Sequence, residues 1–459
     1  MTPEQIESGA RTVAHLADYL AELKLAAAAL IERATASRRG YFTPSEEEAV
    51  RRLQVSYWKS RSALFDVVIS LRDVSSRDGS KPSEDLMPSA FLVAYAAAIL
   101  LVDAARFLRE SFEPLPLVRE KLNEPEPHFG IPKDTYTTVQ KSLTSPRHAW
   151  HLYHAMQYFR EHQADLSARA VDPMLAPVMA VILRLQSRLD VPVARLAKTR
   201  LDVRTRRVVS RLRHGLLTKA LYGIQKLVSS LAAGVYVRHG HRPQLPQAVA
   251  DRIGELLQPG DVIICRKEYA ITNYFLPGYW KHAALYLGEP AELEALGIAD
   301  HENVRPRWAR LLSPDALHPH RVLEAMKDGV QIRPVASPCA SDAVVVVRPR
   351  LATGDVAEAL ARGLCHEGKP YDFDFDFTRA DRLVCTEVVY RSYEGIGGMR
   401  FDLTSRAGRL TFSAEDLVAM ALKCTHFEPT AVFAPAYDRE LAVGTQAGSI
   451  LQRTQRCCD

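Results

Sequence analysis

Cysteine is scarce in this sequence: there are seven among 459 residues, and none of them forms a C-x-x-C pair. An odd, thin count of this kind excludes the disulfide framework of a small secreted domain and the paired spacing of a structural zinc site, so a reducing, cytoplasmic setting is expected. A large charge imbalance is also missing. Lys+Arg 59 against Asp+Glu 54 leaves +5, too little for a basic coat, and no nucleic-acid partner is expected. The opening MTPEQIESGARTVAHLADYL lacks a basic flank followed by an apolar run, so it is not expected to be a secretory signal. Repeats and low-complexity tracts are absent, and 47% hydrophobic with 25% charged residues excludes a disordered chain. Long uncharged runs are nearly absent too. The exception is LMPSAFLVAYAAAILLV between Asp85 and Asp103, just short of the roughly 18 to 20 apolar residues that a membrane span needs. Its length and Pro88 favour a buried core helix, with peripheral membrane contact left open.

What is present divides the chain near residue 240. Before that point apolar positions recur at three- and four-residue spacing, the mark of helices. Thr2-Pro3-Glu4-Gln5 and Thr43-Pro44-Ser45-Glu46 each offer a capping hydroxyl, a proline at the first helical position and an acid or amide that can reach back. Ser145-Pro146 opens a helix in the same way. The spacing predicts helices over about 3–36, 44–72, 86–111, 133–166, 173–189 and 193–236. Then RHGHRPQLPQ interrupts the pattern, and alternation takes over. Five short strands are predicted: VIICR (262–266), HAALYLG (282–288), RVLEAM and VQIRPV around a Lys327-Asp328-Gly329 turn, and DAVVVVRP (342–349). Helices follow in DVAEALARGLC, LVCTEVVYRSYEG and SAEDLVAMALK. The expected fold class is α+β: a helical bundle domain at 1–240, a second domain with a small antiparallel sheet at 245–440, and a C-terminal tail at 441–459.

Three residues of the second half suit nucleophilic catalysis. His282 opens a strand, Glu324 lies within the next, and Cys385 begins a helix. Free amides and the positive dipole end at a helix start lower a thiol's pKa and offer donors to an oxyanion. An imidazole can manage the proton, and a carboxylate on a neighbouring strand can hold the ring in one tautomer.

The ordered run PGDVIIC, WKHAALYLG, VLEAMKDGV, GKPYDFDFDF and LVCTEVVYRSY resembles the circularly permuted branch of the NlpC-like, papain-like thiol hydrolases, the YiiX-like family. In that branch the Gly-Asp strand and the His strand come first and the Cys helix comes last. The resemblance, over roughly 255–395, implies that Cys385 is the nucleophile, His282 the general base and acid, and Glu324 the residue that orients His282. It also places Tyr371, together with Thr386 beside the nucleophile, in the substrate and oxyanion region. The strand reads His282-Ala283-Ala284 and the helix Cys385-Thr386-Glu387, where relatives usually have His-Val-Gly and Cys-Ser-Glu. The implied activity is that of a cysteine hydrolase with a Cys-His-Glu triad. It would cleave an amide or ester of a peptide or lipid-like substrate through a thioester and require no metal or cofactor. An acyltransferase of the same fold, with an amine or lysolipid acceptor, is the alternative.

Other features compete with this reading. His318 or His320 could replace His282 as the base, and Glu387 suits the helix dipole rather than the chemistry. Cys265, Cys339, Cys365 and Cys424 read as structural. The long connection from Glu289 to His320 has the length of a lid or substrate-shaping element. A basic stretch, 195–226, carries Arg195, Lys198, Arg200, Arg204, Arg206, Arg207, Arg211, Arg213, Lys219 and Lys226 against the single acid Asp202. It could meet an anionic membrane surface, which motivates the rival expectation of a non-catalytic membrane-surface scaffold. His148, His151 and His154 step around a helix, so no metal site is expected there. Cys457-Cys458 does not match a prenylation ending and reads as a disordered tail.

Overall fold

The computed structural model describes residues 2–33, 36–71, 85–126, 129–143, 146–189, 224, 244–267, 278–312, 321–406 and 409–455, with backbone alone at 32–33, 37–38 and 146–151. The chain forms two compact units, Met1–Tyr236 and Val237–Asp459.

The first unit is helical: α1 (Pro3–Arg33), α2 (Ala36–Arg39), α3 (Pro44–Ser70), α4 (Met87–Phe112), α5 (Pro116–Leu122), α6 (Thr135–Leu143), α7 (Pro146–Glu161), α8 (Gln163–Arg169) and α9 (Ala176–Leu185). The caps read at Thr2 and Thr43 form, and Ser145 lies outside the described residues. The Thr43 hydroxyl accepts from the Glu46 amide while the Glu46 carboxylate accepts from the Thr43 amide, and Thr2 and Gln5 exchange the same pair of bonds at 2.8 and 3.3 Å. Each box satisfies amides that a helix start leaves free. The uncharged run becomes α4, whose residues from Ala90 to Ile99 are at most 1% exposed and which packs among α1, α3 and α9. The predicted helix 133–166 is three helices, because Pro146 has no N–H to continue a preceding helix and starts a new one instead. The predicted helix 193–236, with the basic stretch, lies outside the described residues except for Ile224.

The second unit is built on a seven-stranded antiparallel sheet with the order β4-β3-β2-β1-β5-β8-β9. The strands are β1 (Val262–Arg266), β2 (His282–Gly288), β3 (Arg321–Met326), β4 (Gly329–Pro334), β5 (Ala343–Pro349), β8 (Phe427–Ala434) and β9 (Asp438–Val443), with a separate hairpin of β6 (Thr404–Arg406) and β7 (Arg409–Thr411). Helices here are α10 (Gln247–Leu256), α11 (Pro290–Ala295), α12 (Trp308–Leu311), α13 (Ala336–Cys339), α14 (Thr353–Leu364), α15 (Cys385–Tyr393), α16 (Ala414–Leu422) and α17 (Thr445–Gln455). Alternation along the strands feeds two core layers. Val262, Ile264, Leu285 and Leu323 meet α14 to α17 on one face; Ile263, Cys265, Tyr286 and Val322 meet α10 on the other.

Two expectations are corrected. The segment 441–455, expected as a tail, is part of the fold: β9 and α17 bury Ala442, Ala447, Ile450 and Leu451, and the Trp280 indole N–H donates to Thr454 Oγ1 at 3.0 Å, while Cys457-Cys458 lies outside the described residues. Strand β8 escapes a sequence reading because Pro429 counts against a strand, yet it sits at the register shift between β5 and β8, where a missing donor is tolerated. The connection after β2 is no free lid over its described part. Leu293, Val304 and Leu311 are fully buried, and Arg307 and Arg310 both pair with Glu367. His318 and His320 lie outside the described residues. At the turn before β1, Gly260 has φ +93, and a Cβ there would lie 2.7 Å from Val356 Cγ1, so glycine is required.

Candidate active site

The register of the sheet brings two of the three predicted residues together. Tyr286 of β2 pairs with Val322 of β3, so His282 and Glu324, each an even number of residues from that pair, stand on one face. His282 Nε2 lies 2.7 Å from Glu324 Oε2, and Glu324 is 1% exposed. With Nε2 committed to the carboxylate, Nδ1 is the nitrogen left for a second partner.

That partner is Cys385. The chain reaches it through a loop strapped to the sheet: Val330 of β4 donates to Lys369 O and accepts from Gly368 N, both at 2.8 Å, and Tyr371 bridges Leu383 in parallel fashion. Val384 is extended, with φ −93 and ψ 169, and α15 begins at the next residue. Val384, Val388 and Val389 anchor the helix in the core layer opposite His282, while the thiol reaches the end of β2. There it hydrogen-bonds to the His282 ring and to backbone amides of Ala283 and Thr386.

The charges follow from these contacts. Burial works against the His282 cation, but the charge and hydrogen bond of Cys385 and the hydrogen bond of Glu324 outweigh it and raise the imidazole to about 9. Burial raises the Glu324 carboxyl, and the His282 hydrogen bond and charge, helped by Arg333, bring it down to about 2. Burial likewise disfavours the Cys385 thiolate, yet the His282 charge, its hydrogen bond and the two backbone amides leave the thiol below its usual value. Its neighbours behave otherwise. Cys265, paired opposite His282, is pushed up to about 12 by burial, and Cys339 to about 11. The arrangement sets a thiol at a helix start against an imidazole that a buried carboxylate backs.

The remaining predicted residues divide. The Tyr371 hydroxyl is held well above its usual range by burial and by the negative Cys385 and Asp372, so it stays a neutral donor near the thiol. Its ring packs edge-on against Phe373 and Phe375 at 5.1 and 6.0 Å. The Thr386 hydroxyl turns away to donate to Phe412 O at 2.5 Å; only its amide faces the sulfur. Glu387, fully buried, caps Val384 and pairs with Arg391 at 2.6 Å. Arg391 in turn donates to the carbonyls of Phe377 and Arg379, so Glu387 secures the loop that leads to Cys385.

Sequence reasoning missed the groups behind Glu324. Ser337 Oγ–H donates to Glu324 Oε1, and Arg333 Nε lies 3.4 Å from the same oxygen. The Lys327-Asp328-Gly329 turn carried a signal for Arg333: a turn of that length sets Glu324 opposite Gln331 and Arg333 one diagonal away. Nothing in the sequence marks Ser337. Among the described residues no group of three or more His, Cys, Asp or Glu side chains is placed to hold a metal ion.

Comparison with known families bears on this constellation directly. Residues 256–438 match the model of the permuted papain-like amidases, the YaeF/YiiX, C92 family. Searches of curated proteins and of solved structures found no match. The matched segment runs from the end of α10 to the start of β9 and contains Cys385, His282 and Glu324, so the resemblance read from the motif order holds there. The family is one of papain-like cysteine hydrolases that act on amides. The helical unit lies outside the match.

Proposed function

We propose that the second unit hydrolyses an amide through an acyl-thioester on Cys385. The observation that carries this reading is the placement of one imidazole between a buried carboxylate, 2.7 Å from Nε2, and a thiol at a helix start. In the first half-reaction the Cys385 thiolate attacks the carbonyl carbon, and the oxyanion takes donors from the first turn of α15, the Thr386 amide among them, and from the Tyr371 hydroxyl. His282 then gives its Nδ1 proton to the leaving nitrogen and the C–N bond breaks, leaving a thioester and a neutral imidazole. In the second half-reaction His282 takes a proton from water, the hydroxide attacks the thioester, and the carboxylic acid departs as the thiolate is regenerated. Glu324 keeps the ring in the tautomer whose Nδ1 faces the sulfur. No metal or cofactor enters these steps. A peptide or a lipid-like acyl amide fits this chemistry equally. The rival reading of a membrane-surface scaffold gains nothing from 86–102, which is buried within its own unit, and its other support, 195–226, lies outside the described residues.

Site-resolved alkylation of the cysteines by iodoacetamide from pH 5 to 9, on the full chain and on a His282→Ala variant, tests the proposal, followed by turnover of N-acyl amides. Cys385 is expected to react fastest below pH 7 and to lose that advantage in the variant. Equal reactivity of Cys385 and the other cysteines would remove the catalytic reading.

A further inference from the structure

The mechanism asks more of Glu324 than its own chemistry provides. A carboxylate 1% exposed is disfavoured as an anion, and a free carboxyl could turn either oxygen toward the imidazole or take up a proton. The structure divides its two oxygens. Oε2 faces His282, whereas Oε1 accepts from the Ser337 hydroxyl and lies beside Arg333 Nε. Arg333 is itself held, since its Nη2 donates to both carboxylate oxygens of Asp328 at 2.7 and 2.6 Å, and Asp328 is fully buried. All of these groups come from one stretch of chain. Glu324 lies on β3, Asp328 in the two-residue turn, Arg333 on β4 at the diagonal position, and Ser337 on α13 immediately afterwards.

We propose that Ser337 and Arg333 are positioning residues that hold Glu324 as an ionised, singly oriented acceptor, so that the β3–β4 hairpin and α13 set the protonation and aim of His282. Ser337 acts by occupying Oε1 with a hydroxyl proton, which leaves Oε2 alone for the imidazole. Arg333, braced by Asp328, favours the ionised carboxylate and opposes any donor turned toward Oε1. Neither residue touches the thiol or a substrate. The inference rests on the proposed role of His282 and Cys385, but the arrangement has a signature independent of turnover: the His282 Nε2–H proton, bonded to a charged acceptor, is expected to give a downfield resonance in ¹H NMR.

The test uses the full chain with Ser337→Ala, Ser337→Thr and Arg333→Gln, each checked for an unchanged melting temperature. Ser337→Ala is expected to shift and broaden the His282 resonance and to slow Cys385 alkylation about ten- to 150-fold, the range for one hydrogen bond to a charged group, and Arg333→Gln, which removes the charge beside Oε1, is expected to change both in the same direction. Ser337→Thr, which keeps the hydroxyl, is expected to restore both. For any amide that is turned over, kcat is expected to fall while KM holds. If Ser337→Ala does not fold, Arg333→Gln carries the same comparison. A wild-type resonance and alkylation profile in the alanine variant, or in the glutamine variant, would overturn the proposal. A resonance that responds to both substitutions in a protein with no preferential Cys385 reactivity would instead support the positioning role and remove the hydrolase reading.

Discussion

Replacing Glu324 by Gln tests the site at its most buried point, because the exchange preserves shape and removes only the charge and one acceptor. The amide must present its oxygen to one side and its NH₂ to the other. Arg333 Nε lies 3.4 Å from Oε1, and the Ser337 hydroxyl donates to that oxygen, so the amide oxygen is drawn there and the NH₂ turns to His282. A donor facing Nε2 forces the ring to carry its proton on Nδ1, which then points an N–H rather than a lone pair at the Cys385 thiol. The loss of the charged hydrogen bond alone is about 1.5–3 kcal/mol, or about ten- to 150-fold. The wrong tautomer adds to this; in serine triads the corresponding Asp→Asn exchange lowers kcat about 10⁴-fold. Alkylation of Cys385 across pH 5 to 9 and turnover of an N-acyl amide are expected to fall by at least the first of these factors, with the fold intact by circular dichroism. A Glu324→Gln protein indistinguishable from wild type at every pH would refute the argument that the carboxylate governs the imidazole.

Four further outcomes follow from the geometry. In Cys385→Ala the NMR titration midpoint of His282 is expected to drop from about 9, because the cysteine's charge and hydrogen bond help to raise it; a midpoint left near 9 would assign the shift to Glu324 alone. Glu324 in the folded state titrates at about 2 against the usual 4.5. The stability that it contributes is therefore present above pH 4.5 and lost as pH falls toward 2. The melting-temperature gap between wild type and Glu324→Gln should close across that window, and a constant gap would count against an ionised Glu324. At the other end, turnover is expected to decline as pH rises through about 9, where His282 loses its proton. Gly363→Ala would place a Cβ 2.6 Å from Ser392 Oγ and 3.0 Å from Leu285 Cδ2, wedging α14 away from α15 and the sheet. Overpacking of this kind costs about 1–3 kcal/mol, readable by urea denaturation, and an unchanged midpoint would mean that the interface yields.

Much of the second unit was legible as a linear pattern because its information is local. Turn residues bound the first five strands and alternation marks their buried faces, just as capping chemistry at Thr43 marks a helix start in the first unit. The motif order from PGDVIIC to LVCTEVVYRSY carried the family resemblance for the same reason. Pattern alone was weaker where a residue's neighbours decide against its own preference: β8 tolerates Pro429 only because a register shift receives it, and α17 is a helix in the core rather than a tail because the sheet offers Ala447 and Leu451 a partner surface.

Residue types, their order and their short-range spacing were thus determined by the chain itself, and they suffice to nominate Cys385, His282 and Glu324. Tertiary structure decided what those residues are. Only folding carries a thiol from one core layer to the end of β2, where an imidazole and two amides offset its burial, and only the β3–β4 register and α13 bring Arg333 and Ser337 to the far oxygen of Glu324. Protonation states belong to that second level, because a pKa is set by burial and by charges a few ångströms away, and those distances exist only once the sheet has formed.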